Sequence, residues 1–322
     1  MIEVNHLTKR YGAHTAVSDL SFTIESGRIY GFLGPNGAGK STTMNIITGC
    51  LGATQGDVRV DGHDILDNPI EAKRCIGYLP EQPPLYTDMT PMEYLRFVLR
   101  MKGVKRSDWD AQLSSVLDRT KLHEMKDRLI GNLSKGYRQR VGIAQALLGN
   151  PKVIILDEPT VGLDPAQIIE IRELIRSLGR DHTVILSSHI LSEVQAVCDQ
   201  IMIIAHGKLV ASDTAENLTS LMASGSRTSL LVRAGAEQTR AVLSGVEEIE
   251  RTELTAADEG ETLVEILPRD GADIREKLFF AFAGAGVPIL EMKRERATLE
   301  DVFLELTQSD PAADGAQEVK TA

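Results

Sequence analysis

Cysteine is scarce in this chain: there are three in 322 residues, Cys50, Cys75 and Cys198, far apart and with no C-x-x-C pair. That spacing excludes a disulfide framework or a cysteine-zinc site and fits reduced thiols in the cytosol. Long apolar runs are missing as well, since no stretch approaches the ~18–20 apolar residues needed to cross a bilayer. Met1-Ile2-Glu3-Val4 puts no basic region ahead of an apolar core, so no secretory signal is expected. Basic charge is in deficit, with 35 Lys and Arg against 46 Asp and Glu, a net charge of −11. The deficit is uneven: residues 1–212 carry 24 basic against 24 acidic residues, and residues 213–322 carry 11 against 22. An acidic C-terminal third repels phosphate backbones, which argues against a nucleic-acid partner. What remains is an ordinary globular composition, 42% hydrophobic, in a chain long enough for two domains that each bury a core.

Against those absences stands Gly34-Pro35-Asn36-Gly37-Ala38-Gly39-Lys40-Ser41-Thr42, which satisfies G-x-x-x-x-G-K-[ST] at every fixed position. The apolar run Ile29–Leu33 precedes it and a helix-compatible run, Thr43–Thr48, follows. The glycines therefore sit on a tight strand-to-helix turn, where backbone N–H groups point at phosphate. Lys40 is expected to reach the β- and γ-phosphates, and Ser41 to offer its hydroxyl to Mg²⁺. A nucleoside triphosphate is the implied ligand.

Val153-Ile154-Ile155-Leu156-Asp157-Glu158-Pro159 is an apolar run ending in two acids, the form of a buried parallel strand that delivers carboxylates at its C-terminal edge. Alone, Asp-Glu-Pro reads more readily as a solvated turn after a strand. With a phosphate loop upstream, Asp157 is expected in the Mg²⁺ shell and Glu158 at the attacking water, as general base or polarising group.

Between these segments lies Leu133-Ser134-Lys135-Gly136-Tyr137-Arg138-Gln139-Arg140, followed by Val141, Ile143, Ala144, Ala146, Leu147 and Leu148 at spacings that suit a buried helix. Ser134 is a natural N-cap, so this helix start presents a positive dipole end to an anion. The segment resembles the signature motif of ATP-binding cassette (ABC) ATPases, with Lys135 and Tyr137 where the commonest form has Gly and Gln. The resemblance implies that Ser134 and Gly136 contact the γ-phosphate held by the opposite subunit. It also covers Tyr11, similar to the aromatic that stacks on adenine although alone it reads equally as a packed surface ring, and Gln82, similar to the glutamine that touches Mg²⁺ and the attacking water although alone an ordinary loop residue. Asp164, in Gly162-Leu163-Asp164-Pro165, resembles the Asp that crosses the dimer interface. His189, in Ser187-Ser188-His189, resembles the switch histidine at the γ-phosphate; a lone histidine is more often structural. These motifs run in family order over about the first 212 residues.

The expected fold is α/β: a P-loop NTPase core of ABC type over residues 1–213 with a helical subdomain at about 87–150, and a small α+β, ferredoxin-like, C-terminal domain. Residues 1–30 read as short antiparallel strands around Tyr11-Gly12 and Ser26-Gly27. Tyr94, Leu95, Val98 and Leu99 form one helical face, and Leu113, Val116 and Leu117 another. Residues Ile201–Asp213 alternate around His206-Gly207 as a hairpin. Residues 214–227 read as a linker. Beyond it come strand Ser229–Arg233, helix Glu237–Leu243, strands Val246–Leu254 and Thr262–Leu267, helix Ala272–Ala283, strand Ile289–Arg294 and helix Leu299–Thr307, the order β-α-β-β-α-β plus one. Residues 309–322 read as a disordered tail.

The resemblance implies an ATPase that binds ATP and Mg²⁺, dimerises on ATP, and sits at the cytoplasmic face of the cell membrane through a separate transmembrane permease. Tyr78-Leu79-Pro80-Glu81-Gln82-Pro83-Pro84-Leu85-Tyr86 resembles the glutamine loop of ABC-2-type exporters, gliding-motility-type ATPases in particular. Two other readings are an importer ATPase with a regulatory C-terminal domain and a non-transport ABC ATPase on ribosomes or DNA. A single cassette and the acidic C-terminal third count against the latter.

Overall fold

The computed structural model describes residues 1–221, 227–257, 260–269, 272–295 and 298–308. Strands β1 (Ile2–Tyr11) and β2 (His14–Ile24) pair antiparallel across Gly12-Ala13, as one long hairpin rather than the short strands expected. Strand β3 (Ile29–Leu33) runs into α1 (Lys40–Ile47), followed by β4 (Gln55–Val60), β5 (His63–Asp64), α2 (Pro69–Arg74) and β6 (Ile76–Leu79). Three helices come next: α3 (Pro91–Met101), α4 (Trp109–Arg119) and α5 (Lys135–Leu147). The chain then alternates through β7 (Val153–Asp157), α6 (Pro165–Leu178), β8 (Thr183–Ser188), α7 (Leu191–Val197), β9 (Gln200–Ala205) and β10 (Lys208–Asp213).

Two sheets result. The central one has the order β10-β9-β3-β8-β7-β6; its strands β9, β3, β8, β7 and β6 are parallel, and β10 closes one edge antiparallel. Every residue of β3, β7 and β8 is buried, as strands covered on both faces require. The smaller sheet is β2-β1-β4-β5. Between the two lies one apolar cluster, joining Ile2, Leu7 and Leu20 to Phe32, Ile155 and Ile185 and to Met44 and Ile47 of α1. Phe32 is fully buried and meets Phe22 edge-on, ring centroids 5.3 Å apart. Each such side chain contributes roughly 1.5–3 kcal/mol by leaving water.

Periodicity explains the helical segment. Tyr94, Leu95, Val98 and Leu99 are the buried face of α3, and Leu113, Val116 and Leu117 that of α4. Thr90 caps α3 with a reciprocal box: Glu93 N donates to Thr90 Oγ1 at 3.3 Å, and Thr90 N donates to Glu93 Oε2 at 2.9 Å.

Residues 1–214 and 306–308 fall in one compact unit, and the described residues of 215–305 in a second. The second contains α8 (Ala215–Leu221), β11 (Arg227–Val232), α9 (Ala236–Leu243), β12 (Ile249–Ala256), β13 (Thr262–Pro268), α10 (Arg275–Gly284) and β14 (Ile289–Glu295); α11 (Leu299–Gln308) spans the division. Its strands form an antiparallel sheet of order β12-β13-β11-β14. Val264 and Ile266 of β13 join Leu230 and Val232 of β11 in a core with Leu278 and Phe282 of α10.

The expected linker is in part a helix. Residues 215–221 form α8, because Leu218 is fully buried and Thr219 Oγ1 bonds back to the carbonyls of Ala215 (3.1 Å) and Glu216 (2.8 Å). Residues 222–226 of that linker, and the expected tail 309–322, lie outside the described residues. Strand β12 starts three residues later than expected, since Val246 N donates to Leu243 O in a turn after α9.

Candidate active site

The ends of adjacent parallel strands meet at one edge of the central sheet. Leu33 of β3 is level with Ser188 of β8, Asp157 of β7 with Ser187, and Leu79 of β6 with Leu156. The phosphate loop, the two acids, the switch segment and the loop after β6 therefore leave the sheet side by side. Ligands of open α/β sheets bind at such C-terminal strand ends.

A pocket of about 590 Å³ opens there. It is lined by Asn36, Gly37, Ala38, Gly39, Lys40, Ser41 and Thr42 from the loop and α1, by Glu158 and His189 from the strand ends, and by Tyr11. Gly39 is the N-cap of α1 with φ +103°, a backbone angle that side-chain-bearing residues rarely adopt. No acidic residue stands in the first turn of α1, which leaves its dipole end open to an anion.

Lys40 is buried and its Nζ donates to Gly34 O at 2.7 Å and Pro35 O at 3.3 Å, so the loop closes around its own ammonium. Burial lowers the Lys40 pKa, while Glu158 and Asp157 oppose that shift. Glu158 Oε1 lies 3.7 Å from Lys40 Nζ, and its Oε2 lies 3.0 Å from His189 Nδ1. Glu158 itself sits at φ +48°, a left-handed conformation uncommon for glutamate. Such strain persists only where the surroundings hold it. Here Glu158 N donates to Ser187 Oγ at 3.0 Å, and Ser187 Oγ donates in turn to Asp157 Oδ1.

Ser41 Oγ donates to the same Asp157 oxygen at 3.3 Å. A hydroxyl and a carboxylate thus converge beside the phosphate loop, a hard-oxygen pair suited to a Mg²⁺ ion whose other ligands are phosphate and water.

Gln82 does not line this pocket; its neighbour Glu81 does. Ser134, Gly136 and Asp164 do not line it either. Ser134 accepts from Tyr137 N at 3.4 Å as N-cap of α5, and Asp164 accepts from Gln167 N at 2.9 Å as N-cap of α6. The two caps belong to neighbouring helices: a Cβ on Gly136 would stand 2.5 Å from Gln167 Oε1. A side chain at position 136 would displace the end of the Gln167 side chain.

His14, Ala16 and Val161 line the pocket without having been anticipated. His14 pairs with Tyr11 across the β1–β2 turn, so the Tyr11-Gly12 turn was the signal that could have found it. Lys9 Nζ lies 5.3 Å from the centre of the half-exposed Tyr11 ring, a cation–π contact that leaves that ring available to a flat ligand.

Comparison with known proteins agrees with this geometry. Residues 17–161 match the ABC transporter family profile. The chain is similar to the bacitracin transport ATP-binding protein BcrA of Bacillus licheniformis, 33% identical over 95% of this chain and 97% of that one. It is similar to the linearmycin resistance ATP-binding protein LnrL of Bacillus subtilis, 32% identical over 95% and 98%. Among solved structures it resembles a dimeric ATP-binding cassette in a post-hydrolysis state bound to ADP and Pi, with a TM-score of 0.60 at 26% identity over 66% of this chain and 98% of that one.

Proposed function

Because the chain belongs to the ABC transporter family and is its ATP-binding, ATP-hydrolysing subunit, we propose that it energises an ABC-2-type exporter as a head-to-tail homodimer beneath a separate permease. The observation that carries the exporter reading is the reach of the two relatives. One is named for bacitracin transport and the other for linearmycin resistance, and both matches extend through 95% of the chain, C-terminal unit included. The glutamine-loop segment Tyr78–Tyr86 supports the ABC-2 assignment and, within it, the likeness to gliding-motility-type ATPases.

Backbone N–H groups of Gly37–Ser41 and the Lys40 ammonium bind the phosphates, and Tyr11 stacks on the base. Ser41 and Asp157, with Gln82, would hold Mg²⁺, which would supply positive charge to the phosphate oxygens. Glu158 orients and polarises the attacking water, with His189 fixing its carboxylate from the other side. Ser134, Gly136 and Asp164 serve the site of a second copy. Their absence from the lining of their own pocket supports this, as does the likeness to a dimeric cassette. The C-terminal sheet order β12-β13-β11-β14 in a β-α-β-β-α-β chain supports the ferredoxin-like reading of that unit. Its role is regulatory or dimer-stabilising.

Among the described residues no helix is long and apolar enough to cross a membrane. Family membership supports placing the pathway in the permease, with this subunit peripheral at the cytoplasmic face. Co-expression with the membrane protein encoded by the adjacent gene tests this. A stable complex with a six-helix permease and ATP-dependent efflux is the expected result. A complex that also requires an extracytoplasmic binding protein and runs inward contradicts it.

A further inference from the structure

Glu193, near the start of α7, is buried although it touches neither the phosphate loop nor the pocket. A buried carboxylate is costly unless well partnered, so its choice of partners is informative. Its Oε2 accepts from Thr160 Oγ1 and, at 3.2 Å, from Ser188 Oγ; its Oε1 lies 4.0 Å from Arg172 Nη2 on α6. Thr160 is two residues beyond Glu158. Ser188 is one residue before His189.

These contacts close a ring. From Glu158 the chain passes through Pro159 to Thr160, across to Glu193, on to Ser188 and His189, and from His189 Nδ1 back to Glu158 Oε2 at 3.0 Å. Ser188 Oγ also accepts from Ile190 N at 3.0 Å, which fixes the backbone on the far side of His189. The strained Glu158 backbone, φ +48°, needs such over-determination. Generic core satisfaction would accept any donors. Here both hydroxyls come from the two segments that carry the reacting groups.

We propose that Glu193 is a positioning residue of the hydrolytic site: by bonding Thr160 and Ser188 at once, its carboxylate sets the separation of Glu158 and His189. It acts through them and does not touch nucleotide. Misplacing a catalytic group by about 1 Å costs up to ~10²-fold in rate.

This rests on the reading of Glu158 as the water-polarising group, so the full chain is assayed as Glu158→Gln, Glu193→Gln, Glu193→Ala and Thr160→Val together. Turnover, ATP affinity and melting midpoint are measured for each. Thr160→Val removes one hydroxyl at nearly constant volume, and so speaks even if Glu193→Ala fails to fold. Thr160→Val is expected to lower kcat about tenfold with the ATP Kd within about twofold. Glu193→Gln, which keeps one acceptor, should fall between wild type and Glu193→Ala. The proposal is overturned if Thr160→Val and Glu193→Gln keep kcat within twofold, or if kcat, affinity and melting midpoint fall together. Undiminished turnover in Glu158→Gln would instead remove the reading underneath; its loss of turnover beside unaffected Thr160→Val and Glu193→Gln would remove this inference alone.

Discussion

Residues 1–214 bury Lys40, Arg140, Asp157, Glu158, His182 and Glu193, whereas the buried polar side chains among the described residues of 215–305 are Thr228, Thr239 and Thr262. Both units bury apolar cores in the ordinary way. They differ in what they do with charge. The C-terminal unit keeps its ion pairs at the surface, as in Arg251–Glu253, where water screens them. The cassette takes charges out of water, which is expensive and persists where fixed, desolvated groups act on a ligand. Acidity of sequence and chemistry of site are therefore separate: the acidic third holds no buried charge among its described residues, and the neutral two thirds hold all of it.

The largest effect that would sharpen this contrast is expected from Glu158→Gln. The amide keeps the shape but loses the charge that polarises water, so turnover should fall by about 10²–10⁴-fold while ATP binding is retained. Steady-state hydrolysis and equilibrium nucleotide binding measured on one sample check this. Leu230→Ala, in the core of the other unit, should do the reverse. It deletes a fully buried side chain and should cost ~2–5 kcal/mol of stability in that unit. Its denaturation midpoint should drop with the ATP affinity unchanged.

A third expectation concerns a half-buried charge remote from the pocket. Lys102 follows α3 and its Nζ donates to Leu148 O at 2.6 Å and Gln145 O at 3.3 Å, capping the C-terminal end of α5. Burial pushes its pKa down to about 8 from the ordinary 10.5. Because the folded value is the lower one, the unfolded chain binds more protons between those pH values, and stability rises as pH climbs through that window. Lys102→Met lacks this gain, so wild type should gain on the variant by up to ~3 kcal/mol between pH 8 and ~10.5. Urea midpoints at the two ends of the window check it, and a constant difference would count against it.

Local signals made much of the cassette legible in sequence. Strands β3, β7 and β8 show through the short apolar runs Ile29–Leu33, Val153–Leu156 and Val184–Leu186, because both faces are covered, and the Gly34–Thr42 motif dictates a turn wherever it occurs. What escaped was long-range. Ala16 lines the pocket through the β1–β2 hairpin, and Glu193 meets Thr160 across 33 positions of chain. Helix α8 escaped because Leu218 is buried by tertiary packing that no small-residue pattern announces. Glu81, not Gln82, faces the pocket, a one-residue difference that loop conformation decides and spacing does not.

The central claim is that the cassette alone carries the nucleotide chemistry. Isothermal titration of MgATP into a chain truncated after Thr214, beside the full chain, tests it most directly. The affinity should shift by less than about tenfold, or ~1.4 kcal/mol. Loss of binding in a truncated sample that circular dichroism shows to be folded would contradict the claim and assign part of the site to the C-terminal unit.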